Sequence, residues 1–331
     1  MMIRRNARAR GFATGVAIVL AAALVAVASG LLGIMPASSQ AQIVQVRAAA
    51  SIPRDDPFAT FWNDIPPVEV ALSTQNLTRP MGGGTVAAIQ LRAVHDGKRL
   101  YILSEWSDDT QDVAVDTTTS FTDAAAVEFL SAGASRLPSF CMGDPGAGVN
   151  IWHWKADWQQ EIDAGVDPGR IGYANMQVDQ YPQEGDPLFQ TGLAAGNPLS
   201  ALEHESPVEN LVAAQYGTLT HADLQDVGGI GRWKDGRWRV LFVRSLESDE
   251  GSPAFAPGGK TNAAFAVWDG SDGQRDGMKS VSQFVDLEIS GEKIPEGPES
   301  FAPAIVVLVA IIGGLATIAA FGVLAERRRR A

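Results

Sequence analysis

Cysteine is almost absent from this 331-residue chain: Cys141 is the single one. One thiol excludes any internal disulfide, any covalent haem attachment through Cys-x-x-Cys-His, and the four thiolates that an iron–sulfur cluster takes. Histidine is scarce as well, with four residues, and His204 and His221 have no partners at metal-site spacing. Gly82-Gly83-Gly84 lacks the Gly-Lys-Ser/Thr ending of a phosphate loop and reads as a flexible loop. Asp269, Asp272 and Asp276 do not follow calcium-loop spacing, and no Ser/His/Asp or Cys/His set stands in a strand-turn-helix context. A period of 20–50 residues is missing too, which excludes a solenoid or propeller.

Positive charge is sparse except at the two ends. Without the eight arginines of the ends, Gln42 to Ala302 carries 18 basic against 37 acidic residues, a net of −19. Nucleic-acid binding is excluded on that balance, and a basic soluble partner such as a small cytochrome is compatible with it. Arg4, Arg5, Arg8 and Arg10 precede an uncharged stretch from Phe12 to Met35, the layout of a secretory signal. Ser39-Gln40-Ala41 offers a small-residue cleavage site, and an uncleaved N-terminal anchor remains the alternative. Pro303 to Ala325 is an uncharged run of 23 residues, roughly 34 Å as a helix at about 1.5 Å per residue, and it stops at Glu326 and four arginines. The positive-inside rule places 326–331 in the cytoplasm and the body outside. The expected organisation is a signal peptide over 1–41, a domain over 42–290, a linker over 291–302 and a membrane helix over 303–325.

Within the body the pattern is that of strands. Val86 to Val94 and Leu100 to Trp106 flank His95-Asp96-Gly97-Lys98, and an Asp-Gly turn between apolar runs predicts a hairpin. Similar runs recur at Ala125 to Leu130, Val149 to Trp154, Trp238 to Val243, Ala263 to Trp268 and Val281 to Ile289. No long stretch of the body has helical periodicity, so the fold class is mainly β, an antiparallel β-sandwich with a C-terminal transmembrane helix. Gly165 to Asp226, with five scattered prolines, reads as an irregular insertion suited to partner contact.

The densest chemistry lies in Phe140-Cys141-Met142-Gly143-Asp144-Pro145 and in Val149-Asn150-Ile151-Trp152-His153-Trp154-Lys155-Ala156-Asp157-Trp158. A loop presents one thioether, and three tryptophans then crowd a segment that contains a histidine and a lysine, as a pocket wall would. If Val149 to Lys155 is a strand, His153 and Lys155 share one face with Val149 and Ile151, and Trp152 and Trp154 share the other.

This segment resembles the haem-binding gamma subunits of the ethylbenzene dehydrogenase, dimethylsulfide dehydrogenase and selenate/chlorate reductase group. In that group a methionine in a Met-Gly loop and a lysine in a Trp-Lys-Ala segment hold a b-type haem. Glu105-Trp106-Ser107-Asp108, Phe121-Thr122-Asp123-Ala124-Ala125, Arg237-Trp238-Arg239-Val240, Ala264 to Gly270 and Lys279-Ser280-Val281-Ser282 are similar to its other landmarks, in the same order. The departures are Cys141 and the C-terminal apolar run. The resemblance implies haem b with Met142 and Lys155 as iron ligands. Trp152, Trp154 and His153 are candidate neighbours of the cofactor, while Trp106, Trp152, Trp154, Trp233, Trp238 and Trp268 read equally as sandwich core. Chemistry alone nominates His153, because a lysine amine holds its proton to about pH 10.4; burial and the ferric charge can depress that value. Two protein ligands close both axial positions, which suits electron transfer and not catalysis. The resemblance further implies iron–sulfur and molybdopterin subunits as partners, with cytochrome c or the quinone pool as carrier. A membrane-tethered carbohydrate-binding sandwich, with tryptophans stacked on sugars, and a stand-alone b-type cytochrome remain alternatives.

Overall fold

The computed structural model describes residues 42–115, 117–134, 136–138, 142–165, 204–247, 253 and 255–292. The signal-like and membrane-helix-like segments, Cys141 and most of the linker lie outside the described residues. Among the described residues no helix is long and apolar enough to cross a membrane.

The predicted Asp-Gly hairpin joins β4 (Ala88–His95) to β5 (Arg99–Ser107), with His95 opposite Leu100. Gly97 takes φ 78°, which a side chain would resist, and Asp96 Oδ1 accepts the N–H groups of Lys98 and Arg99 at 2.9 and 2.7 Å. A second Asp-Gly turn joins β10 (Gly228–Trp233) to β11 (Arg237–Ser245), with Asp235 and Gly236 both left-handed at φ 52° and 74°. β11 pairs antiparallel with β5 along its whole length, and β2 (Val68–Ala71) pairs with β4. These strands form one sheet.

The other sheet runs β14 (Val285–Ile289), β12 (Lys260–Trp268), β6 (Ala124–Leu130), β7 (Val149–Lys155), β8 (Val208–Ala213), β9 (Thr220–His221). β13 (Ser280–Val281) also pairs with β12 and carries β3 (Ser73–Thr74). The expectation of an irregular insertion is corrected within 204–226. Val208–Ala213 is a strand whose six residues lie opposite Trp154 to Val149 of β7. One strand departs from the antiparallel expectation. β1 (Ile43–Ala48) pairs parallel with β14 through Ile43 to Val46 and parallel with β4 through Arg47 and Ala48, so it belongs to both sheets.

Alternation sends Leu91, Ala93, Ile102, Trp106, Trp238, Val240 and Phe242 of one sheet against Val127, Phe129, Trp152, Trp154, Phe265 and Leu287 of the other. This is the sandwich core. Trp154 packs edge-on to Trp238, ring centroids 5.0 Å apart, over Gly231, where an added Cβ would stand 2.1 Å from the Trp154 ring. Glycine at 231 is what lets the indole approach the strand backbone.

A helix not expected from the sequence, α1 (Ala156–Ala164), follows β7 directly and ends at Gly165 in the left-handed conformation, φ 61°.

Candidate functional site

The outer face of the second sheet, turned away from the core, is floored by small residues. Ala124, Ala126 and Glu128 of β6 lie beside His153 and Ile151 of β7 and beside Ala264, Ala266 and Trp268 of β12. A cavity of about 560 Å³ opens over this floor, within the range of small-molecule and cofactor pockets. Ala124, Ile151, His153, Leu211 and Trp268 form its floor and walls, and the loops carrying Arg79, Phe121, Tyr216 and Arg275 close over it. Tyr216 Oη donates to Arg79 O at 2.9 Å, tying two of these loops together.

Met142 lines the cavity and packs against the small apolar cluster of that face, which includes Val149, Leu211 and Trp268. Its φ is 69°, a left-handed backbone that a long side chain adopts at a cost of about 1–3 kcal/mol and that occurs preferentially at binding sites. The surroundings enforce it. Met142 N donates to Glu128 Oε2 at 3.3 Å, Asp144 and Ala147 close a tight turn, and Gly143 follows where a Cβ would meet Ala147 O at 2.9 Å.

His153 and Lys155 reach the same cavity, as the alternation of β7 requires. His153 lies against Trp268, ring centroids 4.9 Å apart. Burial first, and then the Lys155 and Lys279 charges, hold its pKa well below the ordinary imidazole value, so the ring is neutral. Its Nε2 is buried with no hydrogen-bond partner among the described residues. The Lys155 ammonium pairs with Glu209 of β8 and lies 3.8 Å from the Trp158 ring. Glu209 is buried, and its Oε1 also accepts from His221 Nδ1 at 3.0 Å.

Trp152 and Trp154 do not line the cavity. Both are fully buried in the core, on the face of β7 opposite His153 and Lys155. The indole at the cavity is Trp268 of β12. All eight tryptophans fall among the described residues and none is exposed.

Three groups at the site carried no role in the sequence reading. Lys279 lines the cavity with its Nζ 4.8 Å from the Trp268 ring. Glu128, beneath Met142, is pushed up to about 7 by burial against the opposing pull of Lys279, and its Oε1 has no partner among the described residues. Asp123, at the start of β6, is fully buried and accepts from Gly270 N, Asp112 N and Trp238 Nε1 at 2.8–2.9 Å. It pins the loop edge of the cavity to the core. Burial lifts its carboxyl to about 7 despite those donors. Alternation could have found Glu128 and Trp268 once the cavity face was fixed; Glu209 could not be found before β8 was recognised.

The ethylbenzene dehydrogenase family model matches residues 59–280, a span that contains every cavity-lining residue named above. The chain belongs to the ethylbenzene dehydrogenase family. It is 27% identical over 264 residues to the "Putative respiratory nitrate reductase heme subunit ORF7" of Haloferax mediterranei, covering 79% of this chain and 75% of that one. It is 29% identical to the chlorate reductase subunit gamma of Ideonella dechloratans, covering 81% and 92%. With the dimethylsulfide dehydrogenase subunit gamma of Rhodovulum sulfidophilum it is 28% identical over 56% and 54%. Among solved structures it is similar, at 13% identity and a TM-score of 0.41, to a family 9 carbohydrate-binding module of Caldicellulosiruptor kristjanssonii in complex with cellotriose, covering 78% of this chain and 100% of that one.

Proposed function

We propose that this chain is the haem b subunit of a molybdenum oxidoreductase complex and carries single electrons between an iron–sulfur subunit and a carrier, cytochrome c or the quinone pool. The observation that carries the reading is the cavity itself. One strained methionine thioether, a neutral imidazole and two lysine amines converge over an alanine floor with apolar walls. The donor set fits a porphyrin iron, and the unpartnered His153 Nε2 marks a polar atom in the wall that the cavity's occupant faces. When bound, the haem would supply a one-electron ferric/ferrous couple. The alanines let a flat ring approach the sheet, Trp268 and Leu211 bound it, and the loops over the cavity limit water.

Met142 is the sulfur ligand of this reading, and Lys155 is the nitrogen ligand that the Trp-Lys-Ala segment nominates. The pair with Glu209 favours a second reading. Ligation needs a neutral amine, and withdrawing the ammonium strands a buried carboxylate, a loss worth about 3–5 kcal/mol where a buried pair is broken. Lys279, against Trp268 and in the field of Glu128, is the other amine that lines the same cavity. Visible spectra of the purified variants test both. Met142→Ala should lower the reduction potential or lose the haem. Low-spin spectra should collapse in Lys155→Ala on the first reading and in Lys279→Ala on the second, and survive in His153→Ala. Loss of haem from His153→Ala alone would overturn both lysine readings.

The complex would be held at the membrane by the apolar run 303–325, with the body on the outer side and the arginines at 327–330 in the cytoplasm. Protease added to intact spheroplasts should digest the body, and protection of the body would sink this topology.

A further inference from the structure

The cavity is cationic in an acidic chain. Arg79, Lys155, Arg275 and Lys279 line it against two carboxylates, Asp157 and Asp276, while the whole chain carries a net charge of −12. The four cations differ in how they are engaged. Lys155 is committed to Glu209 and Lys279 lies on the Trp268 ring, both half-buried. Arg79 and Arg275 are exposed at the rim, and neither has a carboxylate within ion-pair distance among the described residues.

The Arg275 side chain and the Arg79 backbone are nevertheless held in place. The Arg275 guanidinium lies 4.5 Å from the Phe121 ring, and its Nη1 donates to Gly273 O at 2.8 Å, which fixes the plane of the fork. Arg79 is held through its carbonyl by Tyr216. The next residue, Pro80, approaches so closely that a Cβ on Gly277 would stand 2.4 Å from its carbonyl oxygen. The two arginine loops therefore pack directly on one another over the same cavity.

We propose that Arg79 and Arg275 bind the two propionate carboxylates of the porphyrin and so fix which edge of the ring faces the rim. The inference rests on the haem reading. A b-type haem has no covalent link to hold its orientation, and its faces and three of its edges are apolar. The remaining edge carries two carboxylates that cannot be buried over an alanine floor without a partner. A guanidinium matches a carboxylate with two parallel N–H donors, and at the rim the pair keeps part of its hydration, so desolvation opposes it little. The deeper amines are left for the iron and for Glu209.

The test uses the full chain, stripped of haem and titrated with iron protoporphyrin IX or with its dimethyl ester, followed at the Soret band. The double variant Arg79→Gln/Arg275→Gln should bind the diacid about tenfold more weakly than the parent chain, the size expected from losing one or two exposed charge-assisted bonds. It should bind the ester as the parent does. If the variant binds the diacid as tightly as the parent, or loses both porphyrins equally, the arginine assignment is overturned and the haem reading stands. If the parent chain binds neither porphyrin, the haem reading falls and this inference with it.

Discussion

The two outer faces of the sandwich are built from the same alternation and end differently. On the β4, β5 and β11 side, Val94, Tyr101, Leu103 and Leu241 are large, and the segment around Ile52 and Trp62 lies on them with Trp62 fully buried. On the β6, β7 and β12 side the corresponding positions are Ala124, Ala126, Ile151, His153 and Trp268, and the space above them is the cavity. The charged groups differ in the same sense. Glu105 on the first face is bonded by Arg92, Arg237 and Arg239, whereas Glu128 on the second keeps one oxygen without a partner among the described residues. One face is finished by the chain's own residues, and the other leaves room and polar atoms for something the chain does not encode.

The comparison breaks most visibly at the finished face. Trp62→Ala removes a fully buried indole and should cost about 3–5 kcal/mol, read as a lowered denaturation midpoint, while haem content at 20 °C below that midpoint stays at the parent level. A cost below about 1 kcal/mol would mean that the 49–65 segment does not seal that face.

A smaller effect follows from the carboxyls of the cavity face. Asp123 and Glu128 have folded pKa values of about 7 against ordinary values of 3.8 and 4.5. Between about pH 4 and 7 the folded chain holds protons that the unfolded chain releases, so the haem-free chain should lose stability as pH rises through that window. His153, held neutral in the fold, works in the opposite direction through the ordinary imidazole range and offsets part of this loss, and Glu128→Gln should remove its own share of the falling slope. A pH dependence of stability unchanged in Glu128→Gln would show that this carboxyl is not protonated in the fold.

The smallest expected change in stability, below about 1 kcal/mol, belongs to Ala124→Leu, because the added methyl groups enter open space and not packed core. Its effect on haem content should be large, with the Soret-to-protein ratio falling several-fold. Full haem content in this variant would remove β6 from the floor of the site.

Much of this arrangement was legible locally. The Asp96-Gly97 hairpin needs only turn chemistry and two apolar runs, and the alternation of Val149 to Lys155 places His153 and Lys155 opposite Trp152 and Trp154. Between the sandwich core and the cofactor, both open to a cluster of aromatics, the core holds these two indoles. What stayed hidden depends on distant partners. Val208–Ala213 contains Glu209 and Asn210 and follows Pro207, so its own residues read as loop; it is a strand because β7 offers a six-residue ladder. α1 is only nine residues long, and no side chain caps its N-terminus. The Asp235-Gly236 turn before the Trp238 run carries the same local signal. Lys279 was visible only as a landmark, since nothing near it in sequence says that β12 and β13 bring it over Trp268.

β1 has a kinetic consequence. It occupies the seam between the sheets, and its partners at that seam are Val94 and His95 on one side and Asp286 to Ile289 on the other. A strand that pairs across about 240 residues of sequence brings a large loop-closure cost and raises contact order, which slows folding. During synthesis the segment from Ile43 emerges before everything it must join on the β14 side, so the sandwich stays open along one seam until the last strand of the body has been made. The first strand of the body is thus among the last to be placed, and the two sheets become one structure only when it is.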